Sequence, residues 1–292
     1  MTPPVTTPPV AAPPAAATPA AASTDTTAAT SAATPPVARS FAPPVFAGVL
    51  TSLPEALRAQ AADAWVDAAL AEHASVASFA RFVQELMYLA APPELIVAAL
   101  DAAREEVEHA QASFAIASAL AGEPLGPGPL PVVEPREVDF AELARTTFDE
   151  ACLEETLGAM AAQEAAERCV DPEVRAVLER IAVEEARHAD LAWKAIGWAL
   201  ASGGAAVRVA LEEARDTLPL SAPARVEDDD EATEALLRAG VITDAWLARR
   251  RDHVAATVVR PALQALLEAT PGPVAAPPAP PAAHSGKPEG NR

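Results

Sequence analysis

The sequence predicts an all-α protein whose centre is a bundle of four long helices. Residues 54–203 are rich in Ala, Leu, Glu and Arg, the residue types that lose least on entering a helix. The helix breakers in this stretch are confined to three places. The segments between these breakers are about 29 to 37 residues long, much longer than an average globular helix. Long breaker-free segments of this composition favour a helical bundle.

The breakers also determine the order and the connections of the helices. The helices are predicted over residues 54–90, 93–121, 139–169 and 172–203, and the breakers that end them are Pro92, Gly122, Asp171–Pro172 and Gly203–Gly204. Two short turns make antiparallel hairpins. The connection between the hairpins, residues 122–138, reaches about 55 Å when extended, whereas a 30-residue helix is about 45 Å long. The predicted topology is therefore hairpin, one long crossover, hairpin.

The segments that flank the bundle have a different composition. Residues 1–47 are almost entirely Pro, Ala, Thr, Ser and Val, and Pro, Ala and Gly dominate again over residues 271–292. Prolines remove backbone donors, and little large apolar surface remains to be buried, so we expect two disordered tails. The bundle domain is thus predicted over residues 53–204, and an extension with extra C-terminal helices follows over residues 205–270.

The C-terminal extension is expected to pack against the bundle or against a second copy of the chain. Helices are predicted over residues 205–217 and 243–269, with an acidic turn from Glu227 to Glu231 between them. The basic run Arg249–Arg251 is interpreted as a solvated helix face.

The net charge of −20, from 41 acidic and 21 basic residues, limits the classes of partner. A protein that binds a nucleic acid backbone needs a basic face, so we expect no nucleic acid partner. No stretch is long and apolar enough to span a bilayer, so no membrane partner is expected. The opening residues have neither the basic region nor the apolar run of a signal peptide. A cytoplasmic location is therefore expected, with export under a signal upstream of this start as the alternative.

Two cysteines, Cys152 and Cys169, fall in one predicted helix. Their separation of 17 residues corresponds to about 25 Å along a helix, far beyond the reach of a disulfide. We therefore expect two free thiols in a reducing compartment. Two cysteines also cannot supply the four thiolates of a rubredoxin-like iron centre.

A hexapeptide occurs twice, in the second and in the fourth predicted helix. Residues 105–110 and 184–189 both read Glu-Glu-x-x-His-Ala, which indicates a duplication. Glu106 and His109 are three residues apart, and so are Glu185 and His188, so each pair projects from one helix face, one turn apart. This spacing allows the carboxylate and the imidazole of each pair to hold one metal ion.

A further glutamate lies opposite the second copy of this motif. Counting from the turn near Val170, Glu155 lies 15 residues back and Glu185 lies 15 residues forward. The two therefore face each other in an antiparallel hairpin. Glu150 and Glu154 compete with Glu155, because only one of the three can point fully inward at about 100° per residue. We select Glu155 because it lies at the same distance from the turn as Glu185.

The first predicted helix supplies a glutamate near the first copy of the motif. Counting from the turn near Ala91, Glu72 lies 19 residues back and Glu106 lies 15 residues forward, a match within about one helical turn. Trp65 and Phe79, each seven residues from Glu72, extend its stripe along the helix. We expect both aromatic residues in the core, above and below a metal site.

Four segments that contain these residues resemble a bacterial ferritin-like domain family, related to rubrerythrin and to diiron hydroxylases that act on modified tRNA. The segments are EHASVASFARF at 72–82, EEVEHA at 105–110, EACLEETL at 150–157 and EEARHADLAW at 184–193. The resemblance covers about half of the chain and implies a ferritin-like four-helix bundle. Carried over one residue at a time, it implies a dinuclear metal site with the ligands Glu72, Glu106, His109, Glu155, Glu185 and His188.

The resemblance also implies a chemistry for this site. Two Fe ions are expected as the cofactor, and Mn is the alternative because mixed oxygen and nitrogen ligation suits both metals. The expected function is a diiron oxidoreductase that reacts with O2 or hydrogen peroxide. Its electron donor is unknown from the sequence. No catalytic residue beyond the metal ligands is expected. A homodimer is one possible assembly.

Two other functions are also compatible with the sequence. A ferroxidase or iron-storage protein would form a closed cage, which the long tails and the C-terminal extension fit poorly. A non-catalytic structural bundle would have solvated glutamates and bind no metal. A tRNA hydroxylase is disfavoured by the acidic net charge.

Overall fold

The structure is a computed structural model that describes residues 53–131, 137–222 and 231–270. These residues are all-helical and contain no β-strand, which confirms the predicted all-α class. The predicted tails over residues 1–47 and 271–292 lie outside the described residues, as does most of the predicted acidic turn. None of the described helices combines the length and the apolar character that a membrane span needs.

The first two helices form a hairpin. Helix α1 spans Glu55–Tyr88 and helix α2 spans Pro93–Ala121, and they pack against each other along much of their length. Pro93 occupies the first turn of α2, where its missing N–H would have no helical partner in any case. Gly122 ends α2 in the left-handed conformation (φ 76°), and its N–H donates to the carbonyl of Ser118. The breakers predicted from the sequence therefore end this hairpin's helices.

The helix predicted over residues 139–169 is not continuous. Helix α3 spans Phe140–Thr147, a π-helical segment follows over Phe148–Cys152, and helix α4 spans Glu154–Arg168. The prediction of one regular helix is wrong here because a π turn adds a residue within an otherwise helical path, which α-helical periodicity in the sequence does not reveal. The Asp139 side chain accepts from the backbone N–H of Glu142 at 2.8 Å and caps α3.

Helix α5 spans Pro172–Thr217 and is divided by Gly204, which is non-helical (φ 62°, ψ −129°). Two helices therefore meet at a kink where the sequence predicts a break, and the second corresponds to the helix predicted over residues 205–217. The side chain of Asp171 accepts from two backbone N–H groups of the first turn and caps α5.

The C-terminal extension packs on the same chain. It consists of α6 (Glu231–Arg238), α7 (Asp244–Val254), a π-helical segment (Ala255–Val259) and α8 (Arg260–Ala269). Helices α6 and α7 contact α4, and α8 contacts α5. Helix α6 was not predicted, and Glu231, placed in the acidic turn by sequence, is its first residue.

The basic run of α7 faces α4 and is not simply a solvated surface. Arg250 donates to Glu164 at 3.2 Å and stacks over the Trp246 ring at 3.9 Å from the ring centroid. Arg251 pairs with Glu154 through both of its terminal nitrogens. The interpretation of this run as a solvated face is therefore wrong, because the acidic residues that pair with it lie on a helix distant in sequence.

The two hairpins meet where α2 packs against α5, and α3 and α4 also pack against α5. Small buried residues, among them Ala99, Ala102 and Ala192, allow the helices to approach closely. Trp65 and Phe79 are only 5% and 7% exposed, which confirms their prediction as core residues. Both cysteines are buried and free, as predicted.

Candidate metal centre

All six side chains predicted as ligands lie together in the interior. Their potential ligand atoms form two groups, and within each group the atoms all lie within 4.8 Å of one another. The first group consists of Glu72, Glu106, His109 and Glu185, and the second of Glu106, Glu155, Glu185 and His188. Glu106 and Glu185 belong to both groups. A carboxylate shared in this way has the position of a bridging ligand between two ions.

Both imidazoles turn their Nδ1 atoms toward these carboxylates. His109 Nδ1 lies 3.1 Å from Glu185 Oε1 and 3.6 Å from Glu72 Oε2. His188 Nδ1 lies 3.0 Å from Glu106 Oε1. None of these approaches has hydrogen-bond geometry, and both Nδ1 atoms are buried without a hydrogen-bond partner among the described residues. Buried polar atoms are nearly always paired, so these side chains fit a metal ion as the missing partner.

The other imidazole nitrogens are held by carboxylates from the opposite hairpin. His109 Nε2 is hydrogen-bonded to Glu184 Oε2 at 2.7 Å, and His188 Nε2 to Glu105 Oε2 at 3.0 Å. Arg187 donates to the second oxygen of Glu105 at 2.9 Å. A carboxylate on one ring nitrogen orients the ring and, with that nitrogen protonated, leaves Nδ1 of the neutral imidazole free to bind a metal. Each copy of the hexapeptide thus orients the histidine of the other copy.

Sequence reasoning missed this role of Glu105 and Glu184. Both occupy the first position of the repeated hexapeptide, so the repeat itself was an available signal. They lie one residue before Glu106 and Glu185, about 100° around the helix from those residues. Their partners lie on the other hairpin, and spacing within one helix cannot show such a contact.

The buried carboxylates differ in acidity. Burial raises the pKa of Glu72 to about 8. Burial, together with a hydrogen bond to Glu185, raises the pKa of Glu155 well above its ordinary value. Burial also opposes the ionisation of Glu185, but the neighbouring Glu155 and the two nearby imidazoles outweigh burial and hold its pKa below the usual range. Glu72 and Glu155 therefore hold a proton more firmly than the shared Glu185 does.

The imidazoles are correspondingly basic. Burial opposes the protonation of His188, but Glu106, Glu155 and Glu185 outweigh it and raise its pKa to about 12. The pKa of His109 is also raised. Burial would lower it, but the neighbouring carboxylates outweigh burial. Without a metal ion, protons supply the positive charge that this cluster of carboxylates requires.

The two glutamates that compete with Glu155 have other partners. Glu150 lies in the π-helical segment and pairs with Arg81 of α1, and Glu154 pairs with Arg251 of α7. Neither belongs to a potential ligand group of the described residues. The structure therefore brings Glu155, the residue selected by its height, into the cluster.

Two cavities adjoin the cluster. The smaller, of about 90 Å³, reaches His188, and its lining mixes apolar side chains such as Phe79 and Leu191 with polar and charged ones such as Arg81 and Glu85. The Phe79 ring meets the His188 ring edge to face, with 5.2 Å between centroids. The larger cavity, of about 620 Å³, is a cleft between α1 and α4 that reaches Glu72 and other carboxylates of the cluster. The cluster thus adjoins a small cavity of mixed lining and a larger acidic cleft.

No family model, curated protein or solved structure matches this chain. The relation of its four motif segments to ferritin-like proteins therefore remains a prediction from the sequence. The assignment of a metal centre depends on the geometry of the described side chains.

Proposed function

We propose that this protein is a ferritin-like dinuclear carboxylate oxidoreductase that binds two iron ions and reacts with O2 or hydrogen peroxide. The observation that carries the proposal is the pair of overlapping ligand groups, which share Glu106 and Glu185. A site with four carboxylates and two neutral imidazoles nearly neutralises two divalent ions. Bound iron would supply a two-electron couple for reducing O2 or peroxide, and Mn suits the same ligands.

The residues of the chain have separable roles in this proposal. One ion would be held by Glu72 and His109, the other by Glu155 and His188, and both by the two shared glutamates. The carboxylates of Glu105 and Glu184 hold the imidazole Nε2 protons and so orient the Nδ1 atoms. The smaller cavity reaches His188, and its volume of about 90 Å³ suits a molecule as small as O2 or peroxide.

The arrangement of helices supports the ferritin-like part of the proposal. Two hairpins, α1–α2 and the α3–α4 helices with α5, are joined by the connection after Gly122, and each hairpin provides three of the six side chains. Glu residues from two helices and a Glu-x-x-His motif from each of two others are the ligand pattern of ferritin-like dinuclear carboxylate proteins.

Anaerobic loading with Fe(II), followed by exposure to O2 or hydrogen peroxide, tests the proposal. We expect two irons per chain, oxidation of both, and the absorption of an oxo-bridged diferric centre. The variants Glu106→Gln and His188→Ala should lose most of the bound iron, whereas the matched variants Glu179→Gln and His73→Ala should retain it, because neither residue belongs to the ligand groups. A chain that binds neither Fe(II) nor Mn(II) would overturn the proposal and favour a structural bundle.

A further inference from the structure

The larger cavity beside the metal centre has the dimensions of an organic ligand site. It lies between α1 and α4, with residues 240–247 on a third side, and its volume is about 620 Å³. Pockets for small organic molecules occupy roughly 300–1,000 Å³, whereas a water molecule takes about 30 Å³ in the liquid. The cleft is therefore far larger than O2, peroxide or a single metal ion needs.

The charged side chains that line this cleft are all acidic. Asp63 and Asp67 of α1 and Asp244 of α7 are exposed along it and supply its negative charge. Glu150 and Glu154 also line it, but each is paired with an arginine, and the glutamates at its inner end belong to the metal centre. Among the described residues, no Lys, Arg or His side chain lines it. A cleft with carboxylates and low-dielectric walls concentrates cations and repels anions. Its ligand should therefore carry positive charge.

The walls between these carboxylates are small and apolar. Alanines line the α1 side and the α4 side, and α5 and α7 contribute larger aliphatic side chains: Ala64, Ala68, Ala161, Ala162, Ile181 and Leu247. Such walls suit a narrow apolar body lying along the helices. A compact, fully hydrated inorganic cation would leave these apolar walls without a group to pack against.

We propose that this cleft binds an elongated organic cation, with an alkylamine group and an apolar chain, as the substrate of the neighbouring centre. The ligand reaches the carboxylate side of the centre at Glu72 and Glu155. Calling the ligand a substrate rests on the proposed function, whereas its binding depends on the cleft alone.

Calorimetric titration of the full chain with three matched probes tests this binding. The probes are aminohexanol, hexanediol and hydroxyhexanoate, which share a chain length and a terminal hydroxyl and differ in the charge at the other end. The protein is saturated with Mn(II), so that the centre's own carboxylates are occupied. We expect one saturable site for aminohexanol and about tenfold weaker binding, or none, for the other two probes. Equal or tighter binding of hydroxyhexanoate would overturn the proposal.

Two variants with matched controls locate the site. Ala68→Phe fills the cleft and should weaken aminohexanol binding by about tenfold or more, whereas Ala77→Phe, at an exposed position of the same helix outside the cleft, should not. The double variant Asp63→Asn, Asp67→Asn should weaken it by about threefold to tenfold, and the exposed Asp101→Asn should have no effect. The double variant alters exposed side chains only, so it remains informative if Ala68→Phe fails to fold.

The outcomes distinguish this proposal from the proposed function. If the chain binds no metal but the Asp63, Asp67 double variant still weakens aminohexanol binding, the oxidoreductase proposal fails and the cleft remains a cation site. If the chain binds iron and reduces O2 but does not bind aminohexanol, the cleft proposal alone fails. If the same variants slow Fe(II) uptake and no aminohexanol binds, the cleft is an ion path, and the proposal is overturned.

Discussion

Three protonated side chains make metal binding by the centre sensitive to pH. The pKa of Glu72 is about 8, that of His188 is about 12, and that of His109 is raised in the same direction. All three therefore hold their protons near pH 7 in the metal-free protein, whereas a metal ligand must be deprotonated. Binding of Mn(II) should therefore release about three protons per chain, and the affinity should rise as the pH rises.

Calorimetry in buffers with different ionisation enthalpies measures this release. The sign follows from the raised pKa values: lowering the pH favours the protonated, metal-free form, so the affinity falls as the pH falls. The Glu106→Gln variant, in which binding is lost, supplies the baseline heat. A binding heat that does not depend on the buffer would contradict the assignment of these side chains as ligands.

The carboxylates behind the imidazoles should also affect metal binding without touching the ion. Glu184→Ala removes the acceptor 2.7 Å from His109 Nε2, and Glu105→Ala removes the one 3.0 Å from His188 Nε2. Loss of such a partner lowers metal affinity by about 10–100-fold. Competition with a chelator of known affinity measures the change.

Glu179→Ala is the matched control for Glu184→Ala, because Glu179 is an exposed residue of the same helix. The two substitutions have the same effect on helix propensity. If they gave the same metal affinity, the hydrogen bond from His109 would have no part in orienting the imidazole.

The residues of the centre divide into those that sequence could predict and those that it could not. Glu106 and His109 were predictable because the geometry of an α-helix places residues three apart on one face. Glu155 was predictable from its height opposite Glu185, since an antiparallel hairpin pairs equal distances from the turn. The contact of Glu184 with His109 joins two hairpins, and no local periodicity encodes it.

Two of the glycines in helix α5 should respond in opposite ways to substitution by alanine. Gly204 has φ 62° and ψ −129°, a conformation that is strained for any residue with a Cβ, so Gly204→Ala should destabilise the fold by about 1–3 kcal/mol. Gly197 is helical, and a Cβ there would lie 3.6 Å from a Leu266 methyl group, an ordinary contact. Gly197→Ala should therefore stabilise by about 0.5–1 kcal/mol.

Thermal unfolding of both variants checks this pair. For a domain of this size, about 1 kcal/mol changes Tm by roughly 2–4 °C, so the two variants should shift Tm in opposite directions. A Gly204→Ala variant as stable as the parent protein would mean that the kink in α5 relaxes into a regular helix at no cost.

The prediction of helices from the sequence failed at the π-helical segment before α4. A sequence read with 3.6 residues per turn assigns Phe148–Cys152 to a regular helix, whereas five residues there form wider turns. Glu150 lies in this segment and pairs with Arg81 instead of facing the cluster. The breakers at Pro92 and Gly122 were readable because they act through their own backbone, but a π turn has no comparable residue signature.

The side chains of the candidate metal centre connect the two hairpins in the interior. Helices α1 and α2 supply Glu72, Glu106 and His109, and helices α4 and α5 supply the other three side chains. Each potential ligand group draws on both hairpins. A bound ion would therefore cross-link segments that are distant in the sequence and reduce repulsion between the buried carboxylates.

Removal of the metal should consequently lower the stability of the whole fold. An ion that binds the folded state and not the unfolded chain, at a free concentration of 100 times its Kd, stabilises by about 2.7 kcal/mol, or roughly 5–10 °C in Tm for a domain of this size. Thermal unfolding with excess Mn(II) and with a chelator measures the difference, and Tm should rise with the Mn(II) concentration. In Glu106→Gln, which lacks a shared ligand, Mn(II) should leave Tm unchanged. Screening of the net charge of −20 by any divalent ion would instead raise Tm equally in both proteins, and that result would contradict a specific centre.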